Sequence, residues 1–347
     1  MSVSACITSV SGPVLLEEER AFLREAQPWG AILMGRSCVD RAQVKALTAE
    51  IKDALGRDAL IFIDQEGGRV ARLKAPEWPK FPAAGTYGAL YEHAPEDAVD
   101  ACALGHRLMG HELYQLGIFA DCAPCADLRQ TNTHDAIGDR AFGYSVEAVT
   151  ALTEAAVTGL KSAGVAGVIK HMPGQGRSVL DTHYDLPSVD ADAAALMQDM
   201  SIFQALADQV PMGMTCHVIF EAFDAEAPTT ISPTVISETI RGRIGFQGLL
   251  MTDDLGMDAL GGTLTDRGAK ALAAGCDVLL HCSGFLKDPA AILKEMEEVA
   301  TVAGALDNVA RDRAEAADAF ATPPKAFDTE QAWARFGDLM SQMEARA

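Results

Sequence analysis

The stretch Ala59-Leu-Ile-Phe-Ile-Asp64 is an apolar run that ends in an acidic residue, and the recurrence of such runs predicts the fold of this chain. An uninterrupted apolar run of this length is typical of a strand that is buried on both faces, and an acidic residue ends it. Similar runs recur at residues 6–10, 31–34, 119–123, 167–171, 212–218, 248–252 and 278–280. The sequence therefore predicts eight buried strands.

Helical patterns fill the intervals between these runs. They cover residues 17–26, 41–55, 97–116, 146–162, 191–208, 232–244 and 266–274, and a further one follows the last strand at 288–302. Strands that alternate with helices pair in parallel through crossover connections, so eight such units predict an α/β fold, a closed (β/α)8 barrel of the TIM type. A doubly wound sheet is the competing architecture, but residues 9–14 lack the G-x-G-x-x-G spacing of its phosphate loop.

The length of 347 residues fits either two average domains or one large barrel with insertions. The composition is 49% hydrophobic and does not change regime along the chain, which favours a single catalytic barrel over residues 1–303. Residues 304–347 are acidic and amphipathic, with Pro323-Pro324 as a break before a final helix at 329–344. We expect this tail to be a helical extension that packs on the outside of the barrel.

The charge balance excludes several classes of partner. Lys and Arg number 28 against 49 Asp and Glu, a net charge of −21, so nucleic acid and anionic membrane surfaces would repel the chain. No apolar run approaches the roughly 20 residues of a membrane-spanning helix, and the N-terminus does not resemble a signal peptide. The eight cysteines lie mostly within apolar runs, and Cys122-Ala-Pro-Cys125 lacks a second ligand pair, so reduced structural thiols are expected. These features predict a cytoplasmic protein whose partner is a small molecule.

Chemistry-bearing residues cluster directly after the predicted strands. In a parallel barrel these positions meet at one mouth, where active sites form. The residues are Asp64, Glu66, Arg69 and Arg72 after the third strand, Asp127 and Arg140 after the fourth, Lys170, His171, Asp181 and His183 after the fifth, His217 after the sixth, and Asp253 and Asp254 after the seventh. Carboxylates among hydrogen-bond donors suit a polyhydroxylated substrate, and a carboxylate that faces a proton donor suits glycoside cleavage.

Several of these residues also have a purely structural interpretation. Asp64 alone could cap a helix or pair with Arg69, and Glu66, which precedes two glycines, is expected to hold a tight turn. His217 is expected to be a hydrogen-bonded core histidine. Lys170 is different, because an unpaired ammonium group at the end of an apolar strand is costly to bury.

Five motifs stand in a specific order along the chain. They are Ile63-Asp64-Gln-Glu-Gly-Gly-Arg69-Val, Gly138-Asp-Arg140-Ala-Phe-Gly143, Lys170-His171-Met-Pro-Gly, Asp181-Thr-His183 and Met251-Thr-Asp253-Asp254-Leu-Gly-Met257. In this order they resemble glycoside hydrolase family 3, and more closely its single-domain bacterial β-N-acetylglucosaminidases (β-hexosaminidases) of peptidoglycan recycling. The resemblance covers residues 7–284. One motif departs from the usual Lys-His-Phe-Pro-Gly-His-Gly by having Met172 and Gln175.

The resemblance implies a role for each matching residue. Asp253 corresponds to the nucleophile and His183 to the general acid/base, which Asp181 orients. A His with an unperturbed pKa of about 6.5 can cycle protons at neutral pH, in place of the Glu that two-domain family members use. The implied substrate-binding residues are Asp64, Arg72, Arg140, Lys170, His171 and Met257. No metal or organic cofactor is expected.

The resemblance also implies a reaction. It is a retaining exo-hydrolysis that releases terminal N-acetylglucosamine from fragments such as N-acetylglucosaminyl-1,6-anhydro-N-acetylmuramic acid, with or without peptide, through a covalent glycosyl-enzyme. Three alternatives remain open at this point. They are a phosphorylase on the same barrel, in which phosphate replaces water; a non-catalytic sugar-binding barrel; and a Schiff-base aldolase that uses Lys170.

Overall fold

Eight parallel strands close into a barrel at the centre of the structure, a computed structural model that describes residues 2–324 and 326–346. The strands are β1 (Ser4–Ser9), β2 (Pro28–Leu33), β3 (Leu60–Ile63), β4 (Ala120–Asp121), β5 (Ala166–Met172), β6 (Met212–Thr215), β7 (Leu249–Met251) and β8 (Leu279–His281). Consecutive strands from β1 to β7 pair with each other, β8 pairs with β1, and an isolated parallel bridge from Met251 to Val278 joins the β7 and β8 sides. The predicted (β/α)8 barrel is confirmed.

Helices surround the barrel. They are α1 (Glu17–Ala26), α2 (Arg41–Leu55), α3 (Ala84–Tyr91), α4 (Pro95–Gln115), α5 (Val146–Ser162), α6 (Ala193–Leu206), α7 (Val235–Ile244), α8 (Leu264–Ala274), α9 (Pro289–Ala303), α10 (Asn308–Phe320) and α11 (Thr329–Arg346). The predicted helices all occur, with ends that differ by at most three residues. The largest difference is at α7, where residues 235–244 form a π-helix that a helical segment at 233–234 precedes, and Ser232 accepts a hydrogen bond from the Val235 backbone N–H (3.0 Å).

Helix α3 was not predicted, whereas α10 lies within the expected helical extension, for which only the final helix was given bounds. Helix α3 contains two glycines, which lower helix propensity and conceal the pattern. Gly88 is required there because a Cβ at this position would lie only 1.5 Å from the Phe142 carbonyl oxygen. Tertiary packing against the Phe142 segment, rather than local propensity, therefore accounts for this helix.

The strands are almost completely buried, because helices cover their outer face and side chains fill the interior. In β3, Leu60 is 3% exposed and the next three residues are fully buried. Gly30 on β2 makes room for the Phe62 ring, since a Cβ at this glycine would lie 2.7 Å from that ring. An apolar barrel of this kind leaves the polar residues to the ends of its strands.

The C-terminal helix α11 packs against α4. The Phe336 ring lies 2.9 Å from the place that a Cβ on Gly105 would take, and Leu339 is 1% exposed. The division of the chain at residue 303 stays a prediction.

In the part of the chain that the structure describes, no helix combines the length and apolar character that crossing a membrane requires.

Candidate active site

A cavity of about 330 Å³ opens at the carboxyl ends of the strands. All nine residues with a predicted site role line it: Asp64, Arg72, Arg140, Lys170, His171, Asp181, His183, Asp253 and Met257. They come from four stretches that are distant in sequence, and the barrel topology brings them together as expected. Their individual roles stay predictions.

The floor of the cavity is a network of opposite charges, formed by Asp64, Glu66, Arg72, Arg140 and Lys170, and is here called the charged floor. The Lys170 ammonium nitrogen lies 2.7 Å from Glu66 Oε1 and 3.2 Å from Asp64 Oδ1. Arg140 donates two hydrogen bonds of 2.8 Å to the Glu66 carboxylate, and Arg72 donates one of 2.8 Å to Asp64. Such charge-assisted pairs hold each side chain in one orientation.

Each charge in this floor is stabilised by its neighbours. Burial alone would raise the pKa of Glu66, but Arg140 and Lys170 hold it well below its usual value. Burial alone would lower the pKa of Lys170, but Glu66 and Asp64 raise it above its usual value. The prediction that Glu66 holds a tight turn is wrong, because its carboxylate binds these two cations instead of its own loop.

Asp64 pairs with Arg72 and Lys170, not with Arg69, which pairs with Asp139 at 2.9 Å. The alternative in which Asp64 pairs with Arg69 is therefore wrong. Burial would raise the pKa of Asp64, and its two cationic partners lower it overall. The carboxylate is thus kept ionised beside the cavity, where it can accept hydrogen bonds from hydroxyl groups.

The orientation of His171 is set by Asp127, which is fully buried. Asp127 Oδ2 lies 2.7 Å from His171 Nδ1, while Oδ1 accepts hydrogen bonds from the backbone N–H groups of His171 (3.2 Å) and Gln175 (2.6 Å). With Nδ1 engaged, His171 Nε2 remains available on the side of Arg140, whose Nη2 lies at 3.5 Å. Asp127 stood at the end of a predicted strand, but its partners were not evident from the sequence.

Cys125, Asp127 and His171 together offer three atoms that could ligate a metal, all within 4.8 Å of one another. The Cys125 sulfur lies 3.2 Å from Asp127 Oδ2, and burial raises the pKa of this thiol. A metal ion here would have to replace the hydrogen bonds by which Asp127 holds His171 and Gln175. These three side chains are therefore better explained as a hydrogen-bonded network than as a metal site. The structural role predicted for Cys125 is consistent with such a network.

At the rim of the cavity, Asp181 and His183 form a pair. Asp181 Oδ1 lies 2.7 Å from His183 Nδ1 and also accepts a hydrogen bond from the His183 backbone N–H (3.0 Å). Burial would raise the pKa of Asp181, and these bonds lower it overall. An ionised carboxylate at Nδ1 fixes the tautomer and leaves Nε2 for proton transfer.

Two adjacent carboxylates, Asp253 and Asp254, follow β7, and their surroundings differ. Asp254 Oδ1 is near three donors, His281 Nδ1 (3.1 Å) and the backbone N–H groups of Gly256 (2.9 Å) and Cys282 (3.0 Å). Asp253 Oδ1 accepts a hydrogen bond from the Asp254 backbone N–H (2.8 Å). Asp254 is thus committed to holding the loop, which favours Asp253 as the carboxylate that meets a substrate.

The family model described as the glycosyl hydrolase family 3 N terminal domain matches residues 9–314. The chain belongs to glycosyl hydrolase family 3. The resemblance seen in its motifs is thereby confirmed, and the chain is a glycoside hydrolase.

Relatives of this family 3 chain bear consistent names. It is 38% identical to a beta-hexosaminidase of Alkalilimnicola ehrlichii over 290 residues, which are 82% of each chain. It is 35% identical to a beta-hexosaminidase of Bordetella avium over 282 residues, which are 80% of each chain. Among solved structures, NagZ from Neisseria gonorrhoeae in complex with N-trifluoroacetyl-D-glucosamine is 26% identical, with a TM-score of 0.83 over 99% of this chain and 97% of that one.

The two departures from the usual family 3 motif are accommodated in different ways. Gln175 contacts Asp127 through its backbone N–H, so this contact does not depend on its side chain. Its side-chain amide donates to Thr182 (3.4 Å), which lies between the residues of the rim pair. Met172 is fully buried and packs over Gly213 on the neighbouring strand.

His281 is a buried feature of this family 3 site that the sequence analysis missed, because it directly follows an apolar run. Its Nδ1 faces Asp254, and its Nε2 lies 3.0 Å from Glu295 Oε2 on α9. Burial lowers the pKa of this histidine, but the two carboxylates outweigh burial and raise it to about 9. His281 is therefore an imidazolium at neutral pH, and it ties the β7 loop to α9.

We expect His281 to make the free energy of unfolding depend on pH. Because its folded pKa of about 9 exceeds the unfolded value of 6.5, its stabilisation is fully present below pH 6.5 and is lost as the pH rises through 9. The loss should be about 3 kcal/mol in urea unfolding of the wild type. His281→Gln is the control. Other groups, such as the buried thiols, change the free energy of unfolding with pH equally in both proteins, so the difference between the two reports His281. If the two proteins lost equal stability over this range, His281 would not be charged in the folded state.

Proposed function

We propose that this glycoside hydrolase is a retaining exo-β-N-acetylglucosaminidase. The observation that carries the proposal is the Asp181–His183 pair, with a 2.7 Å contact to Nδ1, at the rim of the cavity that Asp253 also lines. A carboxylate nucleophile and an oriented proton donor on one cavity are the two groups that retaining glycoside cleavage requires.

The reaction proceeds in two steps. Asp253 attacks the anomeric carbon, the glycosidic C–O bond breaks, and His183 gives its Nε2 proton to the departing oxygen. The glycosyl-enzyme ester is then attacked by water, from which the neutral His183 takes a proton, and Asp253 leaves. Two inversions at the anomeric carbon give net retention, and Asp181 stabilises the imidazolium at the start and end of the cycle.

The charged floor binds the terminal sugar. Asp64 accepts hydrogen bonds from sugar hydroxyls, and Arg72, Lys170 and Arg140 donate them, because charged groups form the stronger and more directional bonds. His171 and Met257 complete this binding surface. Support for an N-acylated amino sugar comes from the beta-hexosaminidase relatives and from the N-trifluoroacetyl-D-glucosamine held by the Neisseria gonorrhoeae structure.

The proposed natural substrate is N-acetylglucosamine β-linked to 1,6-anhydro-N-acetylmuramic acid, with or without peptide, in cytoplasmic peptidoglycan recycling. A Schiff-base reaction at Lys170 is disfavoured, because it needs a neutral amine and this ammonium group is paired with two carboxylates. Phosphorolysis remains as a second outcome, since a histidine acid/base repels an anion less than a glutamate does.

The test compares 4-nitrophenyl β-N-acetylglucosaminide with 4-nitrophenyl β-glucoside, each with and without phosphate. We expect turnover of the acetamido sugar, release of N-acetylglucosamine with the β configuration by NMR, and no effect of phosphate. Preferred cleavage of the glucoside would contradict the substrate, and a sugar 1-phosphate product would replace hydrolysis with phosphorolysis.

A further inference from the structure

Two exposed aromatic side chains lie beside His183: Phe285 lines the cavity, and Tyr184 directly follows His183 in the chain. Tyr184 is 67% exposed and Phe285 is 58% exposed. The His183 ring lies 6.3 Å from the Tyr184 ring and 6.0 Å from the Phe285 ring, with the latter pair edge to face, and the two aromatic rings are 6.5 Å apart. Tyr184 and Phe285 are here called the rim aromatic pair.

The rim aromatic pair lies beside His183, the group that is proposed to protonate the leaving group. Phe285 lines the same cavity as Asp253 and Lys170. His183 delivers its proton to the oxygen of the leaving group, so that group must extend past His183 and away from the floor. The rings of the rim aromatic pair lie about 6 Å from the His183 ring, so they are within reach of a group that extends past it.

The chemistry of this surface differs from that of the floor. The floor presents ions that bind hydroxyl groups, whereas the rim presents flat apolar rings. A pyranose ring has one face of C–H groups, which packs on an aromatic ring as other apolar groups do. Adjacent exposed aromatic rings beside a cavity are typical of a binding surface, because large apolar side chains without a ligand are usually buried in the core.

We propose that Phe285 and Tyr184 form a leaving-group subsite, which takes the sugar on the reducing side of the scissile bond by its apolar face. This inference rests on the proposed function and names the part of the substrate that the charged floor does not bind. The subsite supplies affinity for a disaccharide that the terminal sugar alone does not obtain.

The test uses N,N′-diacetylchitobiose as substrate and free N-acetylglucosamine as an inhibitor that needs only the floor. Phe285→Ala should raise KM for the disaccharide by about five- to tenfold and leave Ki for the monosaccharide unchanged. Phe285→Trp, which keeps a flat ring, should retain most of the wild-type KM. Tyr144→Ala is the matched control, because Tyr144 is another exposed aromatic residue (55%) that does not line the cavity.

Each other outcome overturns the inference. An unchanged disaccharide KM in Phe285→Ala would show that the ring binds no sugar. An equal rise of KM and Ki would place Phe285 in the terminal-sugar site, and a loss of kcat alone would make it a positioning residue for His183. Absence of any turnover by the wild type would instead be a failure of the proposed function, which the first comparison of aryl glycosides detects separately.

Discussion

Asp253→Ala is expected to lower kcat for 4-nitrophenyl β-N-acetylglucosaminide by at least about four orders of magnitude while the fold remains intact. The reason is that the covalent step has no substitute nucleophile. Asp254 is adjacent and also lines the cavity, but its Oδ1 accepts hydrogen bonds from two backbone N–H groups and lies 3.1 Å from His281 Nδ1, so an attack by Asp254 would sacrifice these contacts. Steady-state kinetics, with circular dichroism as the control for folding, provide the measurement.

The identity of the nucleophile can be checked directly. A 2-acetamido-5-fluoro sugar should form a stable ester, and peptide mapping should find the label on Asp253. Asp254→Asn is the matched variant, since it keeps the size of the side chain and should still be labelled at Asp253. A label on Asp254 in the wild type would reverse the assignment of the two carboxylates.

His183→Ala is expected to harm substrates with poor leaving groups far more than activated ones. A disaccharide needs a proton on its departing oxygen, so its turnover should fall by about 10²–10⁴-fold, whereas nitrophenolate leaves without one. Removal of the base slows hydrolysis of the ester, so the glycosyl-enzyme should accumulate with the activated substrate. Azide, which needs no base, should partly restore that turnover and yield a β-glycosyl azide.

Asp181→Ala should show a milder form of the same pattern, because the imidazole remains but loses its 2.7 Å contact. Equal losses with both substrates in His183→Ala, without rescue by azide, would remove His183 from the acid/base role. Two other titratable groups near the strand ends, Glu66 and His217, do not fit the acid/base role. Glu66 is paired with Arg140 and Lys170, and both ring nitrogens of the buried His217 are engaged, by Thr230 Oγ1 (2.8 Å) and the Asp254 carbonyl (3.1 Å).

The parts of the fold that the sequence predicts are those with a strong local signal. Apolar runs such as that before Asp64 define the strands, and alternation with helices then defines the barrel and the place of its mouth. Helix α3 was missed because its signal is not local: two glycines weaken it, and contact with the Phe142 segment supplies the stability. His217 was correctly interpreted as a hydrogen-bonded core residue. A lone histidine in an apolar run has no neighbouring ligand or carboxylate motif that would indicate a metal site or a catalytic role.

The parts of the site that sequence alone could not supply are the partners of buried charges. Glu66 binds Arg140, which is 74 residues away, and Asp127 binds His171, 44 residues away. His281 lies 27 residues from Asp254. No spacing rule connects such pairs, because the contact depends on how the strand ends converge. Phe285 likewise gave no signal, since a single aromatic residue in a loop is common.

The charged floor has a consequence for how this enzyme can diverge. Glu66, Arg140 and Lys170 come from three separate stretches of the chain, and the Glu66 carboxylate pairs with both cations. Replacement of Glu66 takes from the buried Arg140 its carboxylate partner, which is strongly destabilising, so a change at Glu66 requires a compensating change at Arg140. Phe285 and Tyr184 are exposed and uncharged, so each can be replaced by another residue without a compensating change. Sequence divergence should therefore change the specificity for the leaving group, while the specificity for the terminal sugar is retained.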